Sequence, residues 1–293
     1  MFYFLTFILA IALSRALFLP SIALSYKLGA IDYPSKRKMH AFPMARGGGF
    51  IFFAAFSVIM LISPIEYTFK IALICGGSIM FCVGLFDDTI SLSPFQKLSG
   101  QAFASAVFVL LNNYESVLEN VLCFVWIVFL SNAINLCDGL DGLAGGICAT
   151  QALCICALSL IFANFNVFLV SVVLLGAIMG FLPRNFPKAK IFMGDCGALF
   201  LGFILAALSS KLVFEGGNII LLFSVFLIFR VPTYDTNLSI FRRIIRGKNP
   251  FKADKGHFHH QLIKRGFTKE CATLALVTVS LFFGLLGILI AAL

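Results

Sequence analysis

The sequence predicts an all-α, polytopic integral membrane protein, and three observations support this class. The chain of 293 residues is 60% hydrophobic, only 12% of its residues are charged, and its mean hydropathy is +1.02. Apolar stretches of about twenty residues, the length that a helix needs to cross a bilayer, recur from end to end. These stretches are apolar all round and lack the alternation of a membrane β-barrel, so the spans are expected to be helices.

About ten transmembrane helices are expected, forming a single transmembrane domain over residues 1–293. The opening segment lacks a basic start and a cleavage site, so we expect it to be retained as the first helix. The nine cysteines contain no CxxC pair, and neither a disulfide framework nor a cysteine metal site is expected. The predicted helices are 2–24, 47–64, 68–86, 98–112, 117–133, 146–163, 166–182, 198–213, 219–239 and 271–292.

The distribution of charge predicts the orientation of these helices. All but four of the 22 lysines and arginines fall in one set of alternating loops, and loops rich in these residues face the cytoplasm. With ten helices, both termini then lie outside. Every aspartate also lies on this cytoplasmic side if Asp235 is counted as the end of the ninth helix. The cytoplasmic loops are 25–46, 87–97, 134–145, 183–197 and 240–270.

The first cytoplasmic motif is GLFDDTISLSPFQK, which places Asp87 beside Asp88 at the end of the third helix and Lys97 shortly after. Two adjacent carboxylates at a membrane surface are costly unless a cation or a proton compensates them. Hard oxygen ligands of this kind suit Mg²⁺, with Mn²⁺ as an alternative. A solvated helix end is the competing explanation of the pair.

The second motif, NAINLCDGLDGLAGG, contains a row of polar residues at a spacing of three. Asn132, Asn135 and Asp138 share one face if the helix continues, and Asp141 lies about one turn further. The glycines allow the backbone to approach a ligand closely. A turn with a helix cap explains the two DG pairs, but it does not explain the whole row.

The third motif, KIFMGDCGALFLGF, frames Asp195 with Gly194 and Gly197 ahead of the eighth helix. Here an aspartate is either a simple N-terminal cap or a metal ligand presented by a tight turn. Phe192 directly precedes this turn. Because it is one of 35 phenylalanines, only its context favours a role as a stacking platform.

The fourth motif is a basic amphipathic run followed by HFHH, which contains His257, His259 and His260. Histidine-rich tracts are typical of transition-metal sites. The many cations nearby favour phosphate groups instead, since a zinc site does not need them. These cations are Arg242, Arg243, Arg246, Lys248 and Lys252.

Carboxylates for a divalent cation, together with cations and imidazoles for phosphates, are the equipment of phosphoryl transfer. In this order, the four motifs resemble those of the polyprenyl-phosphate N-acetylhexosamine-1-phosphate transferases, the glycosyltransferase 4 family of bacterial cell-envelope synthesis. The resemblance covers essentially the whole chain, and the combination of DD, NxxNxxDGLDGLA, FMGDxG and HxHH is highly specific. It implies transfer of a sugar 1-phosphate from a UDP-sugar to undecaprenyl phosphate, releasing UMP, with Mg²⁺ in a cytoplasmic-facing cleft of the bacterial inner membrane.

The resemblance also implies a role for each motif residue. Phe192 would stack on uracil, and the histidines would bind phosphate or shuttle a proton. Direct attack by the lipid phosphate and a route through an aspartyl-phosphate both remain open. The implied catalytic residues are Asp87, Asp88, Asp195, His257, His259 and His260, with the three aspartates as Mg²⁺ ligands. The implied substrate-binding residues are Lys97, Asn132, Asn135, Asp138, Asp141, Phe192, Arg242 and Arg243.

The ending DKGHFHHQLIKRGF is similar to the WecA/TagO type, which uses UDP-N-acetylglucosamine or a related amino sugar. It differs from the APxHHHxE pattern of the phospho-N-acetylmuramoyl-pentapeptide translocases, so a peptide-carrying substrate is disfavoured. The RGGG of the first loop resembles enzymes that take modified UDP-N-acetyl sugars for O-antigen. The resemblance therefore leaves open which sugar is transferred.

Two other classes of protein explain part of the pattern. A secondary transporter would hold its ionisable residues near the bilayer midplane, whereas these residues cluster at one interface. A scaffolding membrane protein would need none of the acidic and histidine residues. We expect a UDP-sugar, undecaprenyl phosphate and the lipid bilayer as partners and no nucleic acid, and the sequence leaves a homodimer open.

Overall fold

The computed structural model describes residues 1–34, 42–247 and 256–293. Within these residues the chain forms thirteen α-helices and one two-stranded sheet. In chain order the elements are α1 (Phe2–Ala16), α2 (Phe18–Leu28), β1 (Ile31–Asp32), β2 (Met44–Ala45), α3 (Gly48–Ile62), α4 (Tyr67–Ile90), α5 (Pro94–Asn112), α6 (Val117–Cys137), α7 (Leu143–Ile161), α8 (Phe165–Asn185), α9 (Gly194–Gly216), α10 (Ile219–Ile228), α11 (Arg230–Ile245), α12 (Phe258–Lys264) and α13 (Lys269–Ala292).

A helix, or a bent pair of helices, occupies each of the ten predicted segments. The first predicted helix is α1 and α2, which meet at 45° around Leu17, and the ninth is α10 and α11, which meet at 74° around Phe229. Neither bend was expected, because both segments read as continuous apolar runs. Helix α12 and the small antiparallel sheet, which pairs Asp32 with Met44, were not predicted either.

In the described part of the chain, six helices are long and apolar enough to cross a membrane, namely α4, α6, α7, α8, α9 and α13. The number rises to eight if each bent pair is one span. Helix α3 has only 15 residues, and the first half of α5 is polar. The chain is therefore a multi-pass membrane protein, and the expected total of ten spans stays a prediction.

Helix α9 lies at the centre of the bundle, packed against α3, α4, α6, α7 and α8. It is apolar on all sides, as expected for a helix enclosed by other helices. Gly49 of α3 and Gly84 of α4 both lie against the start of α9, where a Cβ on either would collide with backbone atoms of Cys196. This close approach of three helix backbones fixes the position of the adjacent Asp195.

The opposite end of α9 carries an ion-pair cluster around a buried lysine. Lys211 is 1% exposed, and its Nζ donates to Glu66 Oε2 at 2.9 Å and to Glu215 Oε1 at 2.6 Å. The same ammonium lies 4.5 Å from the ring centroid of Phe69. Two carboxylates and an aromatic face offset the cost of burying this charge, and they tie the start of α4 to the end of α9.

Candidate active site

Four helices meet at the ammonium group of Lys97. Its Nζ donates to Asp87 Oδ2 at 2.9 Å, to Asn135 Oδ1 at 3.2 Å and to Asp195 Oδ2. Lys97 lies in the first turn of α5, which begins with a capping box at Ser93 followed by a proline. The acceptors come from the end of α4, the end of α6 and the start of α9, so the first three motifs share one cluster.

Asp88 holds the start of α9. Its carboxylate accepts the backbone N–H groups of Asp195 and Cys196, both at 3.0 Å, and Arg46 Nη1 lies 3.7 Å from Asp88 Oδ1. These amides belong to the first turn of α9, where they lack partners within the helix. The simple-cap explanation of Asp195 is therefore wrong: the N-cap residue is Met193, and Asp88 supplies the acceptor from another helix. The Asp195 carboxylate is left to face Lys97.

The polar row of the second motif does not continue as a helix. Helix α6 ends at Cys137, and Asp138 is its C-cap, so the row divides at this point. Asn135 faces Lys97, whereas Asn132 lies one turn deeper in the bundle and accepts a hydrogen bond from Gln101 Nε2 at 3.2 Å. The predicted role of Asn132 in substrate binding stays a prediction.

Asp138 is the titratable group most clearly perturbed by its surroundings outside the spans. Burial raises its pKa to about 7, and the nearby charges of Asp195 and Asp88 add to the rise, while Arg46 opposes it. At neutral pH this carboxyl is therefore partly protonated. It then acts as a hydrogen-bond donor as well as an acceptor at the wall of the site.

The loop containing Asp141 is tied to the loop before α9. Asp141 Oδ2 accepts the backbone N–H of Ala189 at 3.0 Å. Asn185, which the motif analysis missed, is buried between the same loops: its Oδ1 accepts the N–H of Gly142 and its Nδ2 donates to the carbonyl of Ile191, both at 2.9 Å. These bonds hold the second and third motifs against each other.

The histidine motif is anchored by a buried carboxylate. Asp235 Oδ2 lies 2.9 Å from His257 Nδ1, and Asp235 Oδ1 accepts the N–H of Phe258 at 2.9 Å. The rings of His257 and His259 are parallel, with centroids 5.8 Å apart. The His259 ring packs so closely on Gly139 that a Cβ there would collide with it. The fourth motif is thereby brought against the second.

His259 is a neutral group at physiological pH. Burial, together with the charges of the neighbouring His260 and His257, lowers its pKa to about 4. A neutral, buried imidazole contributes packing and hydrogen bonding more readily than positive charge. His260, in contrast, lines the open cleft.

A cleft of about 370 Å³ opens beside the cluster. Five predicted site residues line it: Asp138, Asp141, Phe192, Asp195 and His260. The Lys97 cluster lies behind Asp195.

Two predicted residues, Arg242 and Arg243, do not line this cleft. Arg242 Nη2 instead donates to Ser239 Oγ on the same helix, at 2.9 Å. The structure therefore does not bring these two arginines to the cleft wall. Lys248 and Lys252, which contributed to the phosphate interpretation, lie outside the described residues.

The fit of a divalent cation rests on the donors around Lys97. Among the described residues, no group of three or more His, Cys, Asp or Glu side chains is arranged to hold a metal ion. Mg²⁺, however, commonly takes one or two carboxylates and completes its shell with water and substrate phosphates. Oxygens of Asp87, Asp195 and Asn135 converge on one cationic atom. This set of hard oxygen donors fits Mg²⁺.

Sequence reasoning missed four residues besides Asn185 that shape the site. Asp32 and Arg46, from the sheet in the first loop, line the cleft, as does Lys269 at the start of α13. Asp235 contributed only to the predicted orientation of the helices in the membrane. The available signals were weak: an arginine before three glycines, and an aspartate within an apolar helix.

Comparison with known proteins identifies the family of the chain. Residues 70–213 match the family model described as Glycosyl transferase family 4. The chain is 33% identical to a decaprenyl-phosphate N-acetylglucosaminephosphotransferase of Mycolicibacterium smegmatis, over 86% of this chain and 73% of the relative. It is 34% identical to an undecaprenyl-phosphate alpha-N-acetylglucosaminyl 1-phosphate transferase of Thermotoga maritima, over 88% and 81%.

A phospho-N-acetylmuramoyl-pentapeptide-transferase of Staphylococcus aureus is 30% identical, over 82% of this chain and 83% of the relative. The similarity to these relatives thus covers much more of the chain than the segment that the family model matches. This multi-pass membrane protein belongs to glycosyl transferase family 4, among the polyprenyl-phosphate N-acetylhexosamine-1-phosphate transferases.

Proposed function

We propose that the protein transfers N-acetylglucosamine 1-phosphate from UDP-N-acetylglucosamine to undecaprenyl phosphate, releasing UMP, at the cytoplasmic face of a bacterial inner membrane. The observation that carries the proposal is the convergence of Asp87, Asp195 and Asn135 on Lys97 beside a polar cleft. The names of two relatives, which specify an N-acetylglucosamine phosphotransferase, support the donor.

The reaction requires two anions to approach each other. A P–O bond forms between the acceptor phosphate and the phosphorus that bears the sugar; the bridging P–O bond breaks, and UMP leaves with the electron pair. Repulsion between these anions is the main barrier that the protein must lower. Lys97 supplies positive charge next to Asp195, and the packing of α3, α4 and α9 holds Asp195 in place.

Enzymes of this family generally need Mg²⁺. In this chain Asp195 and Asp87 would hold it, since Asp88 is already engaged by two backbone amides. The cation would supply charge neutralisation on the diphosphate. Displacement of Lys97 Nζ from between the two carboxylates would free their oxygens and place the ammonium near the substrate phosphates.

The cleft residues are assigned to the nucleotide. Phe192 offers a ring for uracil, while Asp138 and Asp141 offer hydrogen-bonding groups on the facing loop. His260 is the histidine assigned to phosphate binding, with His257 and His259 holding its segment. Arg242 and Arg243 are assigned to the acceptor side of the site, outside the cleft.

The test is UMP release by purified protein in detergent with undecaprenyl phosphate, Mg²⁺ and a panel of UDP-sugars. UDP-N-acetylglucosamine should give UMP; EDTA should abolish its release, and Asp195→Asn should lower it by at least about 100-fold, as expected for loss of a charged group at a reacting centre. Glu270→Gln, which changes a partly exposed acid that does not line the cleft, is the matched control.

The panel also separates the alternatives. Release of UMP only from a modified UDP-N-acetyl sugar would support the proposed reaction but identify a different donor. The RGGG of the first loop favours this alternative. Folded protein that releases no UMP from any donor would contradict the proposal and favour a transporter.

A further inference from the structure

Arg46 is a cleft residue that none of the four motifs includes. It directly follows β2, and its backbone N–H donates to the carbonyl of Ala30 at 3.0 Å. The N–H groups of Gly48 and Gly49 donate to carbonyls of the loop before α9, both at 2.9 Å. A Cβ at Gly194 would collide with the Arg46 carbonyl. These contacts fix the backbone of Arg46 against the turn that presents Asp195.

Two carboxylates orient the guanidinium of Arg46. Its Nη2 lies 2.8 Å from Asp32 Oδ1, and its Nη1 lies 3.7 Å from Asp88 Oδ1. Both carboxylates are buried, whereas 34% of the Arg46 side chain is exposed, and this side chain lines the cleft. A guanidinium has five N–H donors, so these two contacts leave donors for a ligand.

The cleft is otherwise rich in carboxylates next to Arg46. Asp138 and Asp195 line the same cavity, and Lys97 lies behind its wall, paired with Asp195. A diphosphate entering this cleft needs cations close to Asp195. Among the described lining residues, Arg46 is the cation attached to the Asp195 turn. Lys269 belongs to the C-terminal segment.

We propose that Arg46 binds the diphosphate of the nucleotide-sugar donor and that Asp32 positions it for this contact. The inference rests on the proposed function, because it takes a UDP-sugar as the ligand. A guanidinium fork matches two phosphate oxygens at once, which a lysine ammonium cannot reproduce. The acceptor lipid also carries a phosphate, so the experiment has to separate the two sources.

The experiment measures the equilibrium affinity of UDP for the purified protein in detergent with Mg²⁺, by calorimetry. Arg46→Gln should weaken UDP binding by on the order of 10-fold to 100-fold, the range of one or two charged hydrogen bonds. Arg46→Lys, which keeps the charge and loses the fork, should show an intermediate loss. Arg265→Gln removes an exposed arginine outside the cleft and should bind UDP like the wild type.

The positioning role of Asp32 is tested by a double-mutant cycle. Asp32→Asn should weaken UDP binding in the wild-type background and have little effect when Arg46 is already glutamine. Equal losses in both backgrounds would show that Asp32 acts on the fold and would overturn its part of the proposal. If Arg46→Gln does not purify as folded protein, the double-mutant cycle is measured with Arg46→Lys in its place.

Unchanged UDP affinity in the Arg46 variants, or wild-type protein that binds no UDP, would overturn the inference. A raised KM for undecaprenyl phosphate with normal UDP affinity would assign Arg46 to the acceptor instead and would also overturn it. Because binding is measured without turnover, protein that binds UDP through Arg46 but releases no UMP contradicts only the proposed function.

Discussion

At the level of single residues, the charged side chains of the candidate site form ion pairs with one another. Lys97 lies between Asp87 and Asp195, and Arg46 takes an equivalent place beside Asp88. Buried or half-buried charges are tolerated when each has an opposite charge and hydrogen bonds. The carboxylates are thus held in position by these cations.

Asp235 should control the orientation of the histidine motif. Asp235→Asn removes the negative charge next to His257 Nδ1, so we expect a 10-fold to 100-fold loss of kcat, the usual range for a residue that orients a functional imidazole. The KM for the UDP-sugar should change little. Steady-state UMP release gives both constants.

The control for this prediction is Ser239→Ala. The Ser239 hydroxyl lies 3.4 Å from the same nitrogen, too far for a strong bond, and its removal should have a small effect. Equal losses in the two variants would assign the effect to packing of α11.

Asp138 should make stability depend on pH. Its pKa is raised from 3.8 to about 7, so the folded protein retains a proton that the unfolded chain releases. Stability is therefore lost as the pH rises from about 4 to about 7, and the full loss persists above that range. Asp138→Asn cannot ionise, so its Tm should exceed that of the wild type by an amount that grows over this window.

The measurement is thermal unfolding of both proteins in detergent with EDTA, from pH 5 to pH 8.5. Asp141→Asn, on the same loop, serves as the comparison variant. A Tm difference for Asp138→Asn that is constant over the range would contradict the assigned cause.

At the level of the elements, the site depends on how closely α9 approaches its neighbours. Helices α3 and α4 each place a glycine against the start of α9, and the turn there presents Asp195 to Lys97. Helix α11, which follows the bend at Phe229, carries Asp235, the buried partner of His257 in the histidine motif. Backbone contact between helices is thus the means by which distant motifs meet.

Gly84→Ala tests this contact. Its Cβ would collide with backbone atoms of Asp195 and Cys196, so the start of α9 has to shift. A displacement of about 1 Å at a reacting group costs on the order of 100-fold in rate, and we expect a loss of kcat of at least about tenfold. UMP release and Tm are the measurements.

Gly77→Ala is the matched control on the same helix. Its Cβ would lie 3.0 Å from the Phe200 ring, so it would meet a side chain and not the backbone at the start of α9. Activity close to wild type in Gly84→Ala, or an equal loss in Gly77→Ala, would show that the approach at Cys196 is not what places Asp195.

For the whole molecule, the predicted orientation makes the cleft open toward the cytoplasm. Cys271, exposed in the first turn of α13, lies at the end of the bundle that bears the cleft, whereas Tyr67, 72% exposed, begins α4 at the opposite end. A membrane-impermeant maleimide should label Tyr67→Cys in intact cells. It should label Cys271 only after permeabilisation.

Cys271→Ser identifies the signal from the native cysteine in this experiment. Labelling of Cys271 in intact cells, or of Tyr67→Cys only after permeabilisation, would contradict the predicted orientation and favour the opposite one.

From the sequence alone, candidate site residues were easier to select than their arrangement was to predict. Asp87, Asp138, Asp195 and His260 were selected as candidates because ionisable residues are rare in a chain this apolar. Sequence reasoning could not separate the roles of Asp87 and Asp88, since adjacent positions on a helix point in different directions and only the neighbouring helices decide what each contacts.

By itself the sequence determined that this is a helical membrane protein, that its aspartates and most of its lysines and arginines belong to one set of loops, and that its motifs resemble a family of sugar-phosphate transferases. Apolar length, charge asymmetry and residue spacing are local properties, and a linear chain displays them. Only the tertiary structure decided that Asp88 caps α9, that Asp235 holds His257, and that Arg46 lines the cleft. Each of these contacts joins residues far apart in the chain, and the packing of helix backbones creates them.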